Sequence, residues 1–152
     1  MSVFEQILVA TDFSETSERA LDIALEMARE NGDADVTVLH TCEIPPSVYA
    51  DQTFAIVDLL QPIVEGAQAK LDTFMGTVRD RYPRTRGVLK VGVAWEQILA
   101  AAAEVHADLV VIGTHGRRGI AHAVLGSVAE KVVRLSPIPV LTVRGRPQKA
   151  AS

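Results

Sequence analysis

The stretch Leu109-Val-Val-Ile-Gly-Thr-His-Gly-Arg-Arg-Gly-Ile-Ala-His-Ala-Val-Leu-Gly-Ser127 reads as a buried strand, a glycine-punctuated loop and the start of a helix. Its first four residues are apolar and mostly β-branched, the pattern of a strand covered on both faces. Gly113 breaks the run, two residues separate it from Gly116, and nine residues then precede the pair Gly126-Ser127. Beyond it, Val128, Val132 and Leu135 fall on one helical stripe, with Ser127 in the place of an N-cap. Glycine lets a backbone approach a bulky anion, and a helix start offers unpaired N–H groups at the positive end of its dipole. The arrangement suits a polyphosphate. The plainer reading is a tight connection in which Gly113 and Gly116 form turns and Ser127 is an ordinary cap.

Gly119, Arg117 and Arg118 lie in the same loop and favour the anion reading. Either arginine could clamp a terminal phosphate or point into solvent. No Gly-Lys-Ser/Thr occurs in the chain and no Gly-x-Gly-x-x-Gly opens a helix, so neither a P-loop nor a dinucleotide fingerprint is present. His115 and His122 have no cysteine or carboxylate between them at ligand spacing, which argues against a protein-held metal.

Outward from this stretch, strands and helices alternate. Gln6–Thr11 is a short apolar strand. Asp12-Phe-Ser14 turns the chain, and Ser14 caps a helix whose inner face carries Ala20, Ala24 and Ala28 and which ends near Asn31-Gly32. Val36–His40 is the second strand. The segment from Cys42 to about Gln61 has no clean period, and Pro45–Leu60 is either a flap over a site or a surface excursion. Pro62 either starts a helix running to Arg81 or kinks one that begins near Thr53, with Ile63, Ala67, Lys70, Leu71 and Phe74 on or beside its stripe. Gly87–Val91 is a third strand, Glu96–His106 an alanine-rich helix, Ser127–Leu135 a helix and Val140–Val143 the last strand. This alternation implies a doubly wound parallel sheet with helices on both faces. Residues 1–145 read as one domain and 146–152 as a flexible tail.

Composition bounds the function. With 152 residues the chain is long enough to bury about 70% of its unfolded surface. Its 48% hydrophobic but only 5% aromatic content points to an aliphatic core. A net charge of -4 and a pI near 5.5 argue against a nucleic-acid or membrane-surface protein. The one basic region, Arg79 to Arg86, is scattered and contains Asp80. No apolar run is long enough for a membrane span, and no export signal opens the chain. The single cysteine, Cys42, fits a reducing compartment, so a cytoplasmic location is expected.

The spacing Gly113-Thr-His-Gly116, nine residues, Gly126-Ser127 resembles the nucleotide-binding signature of the universal stress protein family, in its ATP-binding branch. Ile7-Leu-Val-Ala-Thr-Asp-Phe-Ser14 and Pro137-Ile-Pro-Val-Leu-Thr-Val143 are similar to that family's first and last strands, so the resemblance spans nearly the whole chain. It implies a single-domain, Rossmann-like α/β fold of the adenine nucleotide alpha hydrolase type, with five parallel strands in the order 3-2-1-4-5. Ligands of such sheets bind outside the strand carboxyl ends, where strand order reverses. That crevice lies between strand one and strand four.

By resemblance, Ala10 sits beside the adenine, the backbone of Thr41 meets its edge, and Ile112 and Gly113 line the base and ribose. Thr11 and Asp12 end strand one. Asp12 matches an acid that contacts the ribose or a phosphate-bound metal; its plainer reading is a helix-entry cap. Gly116, Gly126 and Ser127 would hold the phosphates, with Val128 and Ala129 offering further N–H groups and His115 and Arg117 lying in the same loop. His40 reads as a packing residue. Gly92 and Ala94 stand where the family often has Gly-x-Pro, and Ala94 and Trp95 depart from it. The implied ligand is ATP (or ADP or AMP), with Mg2+ or Mn2+ carried by the phosphates. The implied function is that of a nucleotide-dependent regulator in the stress response, a homodimer through the edge strand Val140–Val143. The alternative is a slow ATP hydrolase or phosphoryl-transfer enzyme, for which no clear catalytic constellation is visible.

Overall fold

The computed structural model describes residues 2–44, 55–115 and 125–145. The segment 45–54, the loop residues 116–124 and the tail 146–152 lie outside the described residues, and with them Gly116, Arg117, Arg118, Gly119, His122 and most of the proposed flap.

Along the chain come β1 (Gln6–Thr11), α1 (Glu15–Glu30), β2 (Asp35–Cys42), α2 (Ala55–Arg81), β3 (Thr85–Val91), α3 (Ala94–Glu104), β4 (Leu109–Gly113), α4 (Ser127–Leu135) and β5 (Val140–Val143). The strands form one five-stranded sheet in the order β3-β2-β1-β4-β5, and every pair is parallel. The order expected from the family resemblance is therefore the observed one.

Strand alternation sorts the core into two layers. Ile7, Val9, Leu109 and Val111 point to the face covered by α1 and α2, where they meet Ala20, Leu21, Ala24, Leu25, Leu71, Met75 and Val78. Leu8, Leu39, Val110 and Ile112 point to the other face and meet Ile98, Ala101 and Ala102 of α3 and Ala129 and Val132 of α4. The alanines at positions 20, 24 and 28 are wholly buried, which lets α1 lie close on the sheet. Truncating a wholly buried residue such as Leu21 or Leu71 to alanine would cost about 2–5 kcal/mol.

The structure refines several boundaries. β2 begins one residue before and ends two residues after the expected Val36–His40. α2 is described from Ala55 and carries Pro62 inside it, so the helix does not start at Pro62 but before it, as in the second alternative. Its inner stripe continues from Leu71 through Met75 and Val78, whereas Ile63 is 47% exposed. Gly87 of β3 makes that docking possible, because a Cβ there would come within 2.6 Å of Met75 Cγ.

α3 runs two residues earlier at both ends than the expected Glu96–His106. Its end is set by His106, which adopts φ 54°, while the amides of Val105, His106 and Ala107 bond back to Ala101, Ala103 and Ala102. Such a left-handed residue stops a helix whatever its propensity beyond. α4 has the expected limits, but its N-cap is Gly126 and Ser127 is its first helical residue. Ala129 and Val132 form its buried stripe, and Leu135 is 45% exposed.

Candidate functional site

β1 and β4 are neighbours in register, with Val9 opposite Val111, so Thr11 and Gly113 leave adjacent strands at the same level. Strand order reverses at this pair: β2 lies beyond β1, and β5 beyond β4. The two stretches singled out in the sequence thus meet at the point where the strand order reverses.

On the β1 side the backbone turns sharply. Phe13 adopts φ 63°, and two side chains hold the turn: Thr11 Oγ1 accepts from the Phe13 amide at 3.0 Å, and Asp12 Oδ1 accepts from the Ser14 amide at 3.0 Å. The Thr11 side chain is buried, within 3.2 Å of the Ser17 hydroxyl, so it serves the turn and the start of α1. Its carbonyl accepts from His40 Nδ1 at 2.9 Å. That bond places the proton on Nδ1. The His40 ring also lies against Phe13, centroids 4.6 Å apart, in keeping with the packing role expected of it. Phe13 in turn meets Phe74 edge-on at 5.2 Å and carries Lys70 Nζ 4.7 Å from its ring centroid. Ala10 is partly buried against the α3/α4 layer.

On the β4 side, Thr114 is the organising residue. It is buried, and its amide donates to Val143 O, which continues the β4–β5 ladder. Its carbonyl accepts from the Gly126 amide, and its hydroxyl lies 3.0 Å from His115 Nδ1. The first of these bonds draws the two described ends of the loop together and seats the start of α4 at the end of β4. A Cβ on Gly126 would stand 3.0 Å from Thr114 O and 3.7 Å from His115 Cα. Gly113 is small for a different reason. A Cβ there would meet Thr16 Cγ2 at 2.8 Å and the Thr16 backbone carbon at 3.3 Å. The side of Gly113 facing α1 is therefore filled by protein.

Gly126 provides no side-chain cap for α4, and Glu130 N to Gly126 O at 2.9 Å is the helix's first backbone bond. The amides of Ser127, Val128 and Ala129 lie in the first turn, where a helix has no internal acceptor for them. Two other helices start differently. Ser14 caps α1 by accepting from Ser17 N at 3.3 Å, and the Glu43 carboxylate beyond β2 accepts from Ala94 N at 3.1 Å at the head of α3.

Of the expected site residues, Ala10, Thr11 and Asp12 thus lie at the end of β1, Thr41 near the end of β2, and Ile112, Gly113 and His115 at the end of β4. Gly126, Ser127, Val128 and Ala129 open α4. Gly116 and Arg117 are outside the described residues. Sequence reading passed over Thr114 and Glu43. Thr114 had a signal, because it stands two residues beyond Ile112, on the strand face that Val110 and Ile112 share; Glu43 had none, being 51 residues from Ala94. Among the described residues no group of three or more His, Cys, Asp or Glu gathers to hold a metal. No helix among them is long and apolar enough to cross a membrane.

Comparison with known proteins agrees with this architecture. The model of the universal stress protein family matches residues 4–144. Universal stress protein A homolog 1 of Coxiella burnetii is 33% identical over 143 residues, covering 92% of this chain and 96% of its own length. Among solved structures, the Methanocaldococcus jannaschii protein MJ0577 superimposes with a TM-score of 0.78 at 27% identity, covering 93% of this chain and 96% of that one. A universal stress protein solved in complex with cAMP gives a TM-score of 0.70 at 26% identity, covering 95% of this chain and all of that one. With the fold, the strand order and nearly the full length in agreement, the chain belongs to the universal stress protein family.

Proposed function

We propose that this protein binds an adenine nucleotide, ATP (or ADP or AMP), in the crevice between β1 and β4 and acts as a nucleotide-dependent regulator in the stress response. The observation that carries the reading is the start of α4. It is held at the strand-order reversal by the Gly126–Thr114 bond, and its N-cap glycine brings no side chain to cap it. A helix start so placed binds phosphate through its N–H groups and dipole. Gly126, Ser127, Val128 and Ala129 would hold the phosphates, the Ser127 hydroxyl adding one donor, with Gly116, Arg117 and His115 contributing from the loop. Ala10, Thr11, Asp12, Thr41, Ile112 and Gly113 would form the wall for base and ribose. A relative of the same fold has been solved with cAMP, which supports an adenine ligand. Magnesium or manganese would arrive with the phosphates, as hard cations do.

The reading extends to a cytoplasmic homodimer joined through β5. That strand is at the sheet edge and three of its four residues are only partly buried, an edge that proteins normally pair or cover. Thr142→Pro should remove a backbone donor and yield monomer by light scattering; an unchanged dimer would rule out this edge.

The deciding experiment is to purify the protein without added nucleotide, denature it, and identify what is released by chromatography and mass. The emptied protein is then titrated with ATP and magnesium. Near-stoichiometric release and rebinding are expected, and the ATP-to-ADP ratio separates a switch from a slow hydrolase. No release together with no rebinding would overturn the proposal.

A further inference from the structure

The amino ends of the strands carry a feature that this function does not use. A cavity of about 480 Å³ opens between the starts of β1, β2 and β3 and the end of α3, and Gln6, Asp35, Thr37, Arg84, Arg86 and His106 line it. That volume falls in the range of small-molecule sites. Two of its charges are spent on each other. One Asp35 oxygen takes Arg84 at 3.0 Å, and the other accepts from the Gln6 side-chain amide at 3.2 Å.

Arg86 is different. Among the described residues its guanidinium pairs with no carboxylate, and its one polar contact is from Nε to Thr37 Oγ1 at 3.4 Å. Thr37 and Arg86 are register partners across β2 and β3. Both point to the α3/α4 face, since Leu39 and Val88, two residues further along each strand, pack there. Thr37 is only 3% exposed. Its oxygen accepts from Arg86, which leaves its hydroxyl hydrogen to be donated into the cavity. His106 enters the wall because α3 stops on that left-handed residue. A chain of net charge -4 thus presents, in one cavity, the exposed Arg86, whose guanidinium has no carboxylate partner among the described residues, with the buried Thr37 hydroxyl and the exposed His106.

We propose that this cavity is a second binding site, for the oxyanion of a small polar molecule, a phosphate or carboxylate group. Arg86 forms the ion pair, and Thr37 and His106 add hydrogen bonds. The guanidinium fork matches two oxygens of either group. The site lies at the opposite end of the strands from the β1–β4 crevice and does not rest on the nucleotide reading.

The test is a titration of the emptied, isotope-labelled full chain with inorganic phosphate and, separately, with acetate, followed by amide chemical shifts. Saturable shifts are expected at residues 35–37, 84–86 and 105–106. Arg86→Ala should weaken them roughly tenfold or more, and Arg86→Lys should weaken them less, because it keeps the charge and loses the fork. Lys90→Ala, on the same face of β3 but paired with Glu104, should leave the affinity unchanged. Saturation by phosphate alone identifies a phosphate group as the ligand chemistry, and saturation by acetate alone a carboxylate. Shifts that stay linear with both anions, that survive Arg86→Ala unchanged, or that weaken equally in Lys90→Ala would overturn the site. Shifts at residues 126–129 report the other end of the sheet, so failure of one site is read separately from failure of the other.

Discussion

Helices α1 and α4 start at the same crevice and do so in opposite ways. α1 begins in a closed network: Ser14 accepts from Ser17 N, the Ser17 hydroxyl donates to Ser14 O at 2.9 Å, and Thr11 and Asp12 hold the turn before them. α4 begins on a glycine that has nothing to cap with. Both are amphipathic helices packed on the same sheet, so the difference does not arise from how they fold. Glycine as an N-cap costs only a few tenths of a kcal/mol relative to serine. A helix start whose own N-cap residue offers no side chain is therefore cheap to build. The contrast teaches that the two starts at the carboxyl ends of these strands differ in what the N-cap residue can offer.

The strongest way to break the comparison is Gly126→Val. Its Cβ would be forced against Thr114 O and its methyls into the mouth of α4. Loss of ATP binding by at least roughly a hundredfold is expected in calorimetric titration, with the far-UV spectrum retained. Affinity within about threefold of the parent would remove α4 from the site.

Gly113→Ala sharpens it, because this glycine serves the α1 side. Its Cβ would press on Thr16, so a stability loss of about 1–3 kcal/mol in urea is expected, partly recovered in a Thr16→Ser background that removes the nearest methyl. A loss below about 0.5 kcal/mol would show that Thr16 moves aside freely.

The two serines should then divide cleanly. Ser14→Ala should lower stability by about 1 kcal/mol, since it deletes a cap. Ser127→Ala should leave the urea midpoint in place and weaken ATP by roughly five- to tenfold, the value of one hydrogen bond. The reverse pattern would mean that the roles of the two helix starts have been exchanged. The smallest effect belongs to Glu43→Gln at the head of α3. It removes an exposed charge from a helix start and should cost a few tenths of a kcal/mol at low salt and less at high salt. Equal losses at both salt concentrations would argue that hydrogen bonding, not charge, makes that cap.

Much of this was legible in the chain. The apolar runs at Ile7–Val9 and Leu109–Ile112 read as strands because burial on both faces leaves no polar positions in them. The limits of α4 and β5 agree with the sequence reading, although the cap of α4 is Gly126 and not the serine expected there. Boundaries slipped where a distant or conformational cause intervened. α3 begins early with a cap from Glu43, and it ends early because His106 turns left-handed. Pro62 was ambiguous because proline fits the first turn of a helix and also occurs, at a cost, inside one, and the packing of Leu71 and Met75 beside Gly87 is a contact between α2 and β3 that local sequence does not show.

By itself the sequence determined the kind of fold and the two stretches that matter. Alternation of period two and period 3.6 is a local property, and a glycine spacing can be counted. The tertiary structure alone decided what each glycine is for. Gly113 and Gly126 look alike in the chain, but the first makes room for Thr16 of α1 and the second for the carbonyl of Thr114. It also brought Arg86 beside Thr37 and His106 at the far end of the strands, from three parts of the chain that carry no common pattern. Steric demand and ion pairing depend on neighbours across space, and those neighbours exist only once the strands have taken their order.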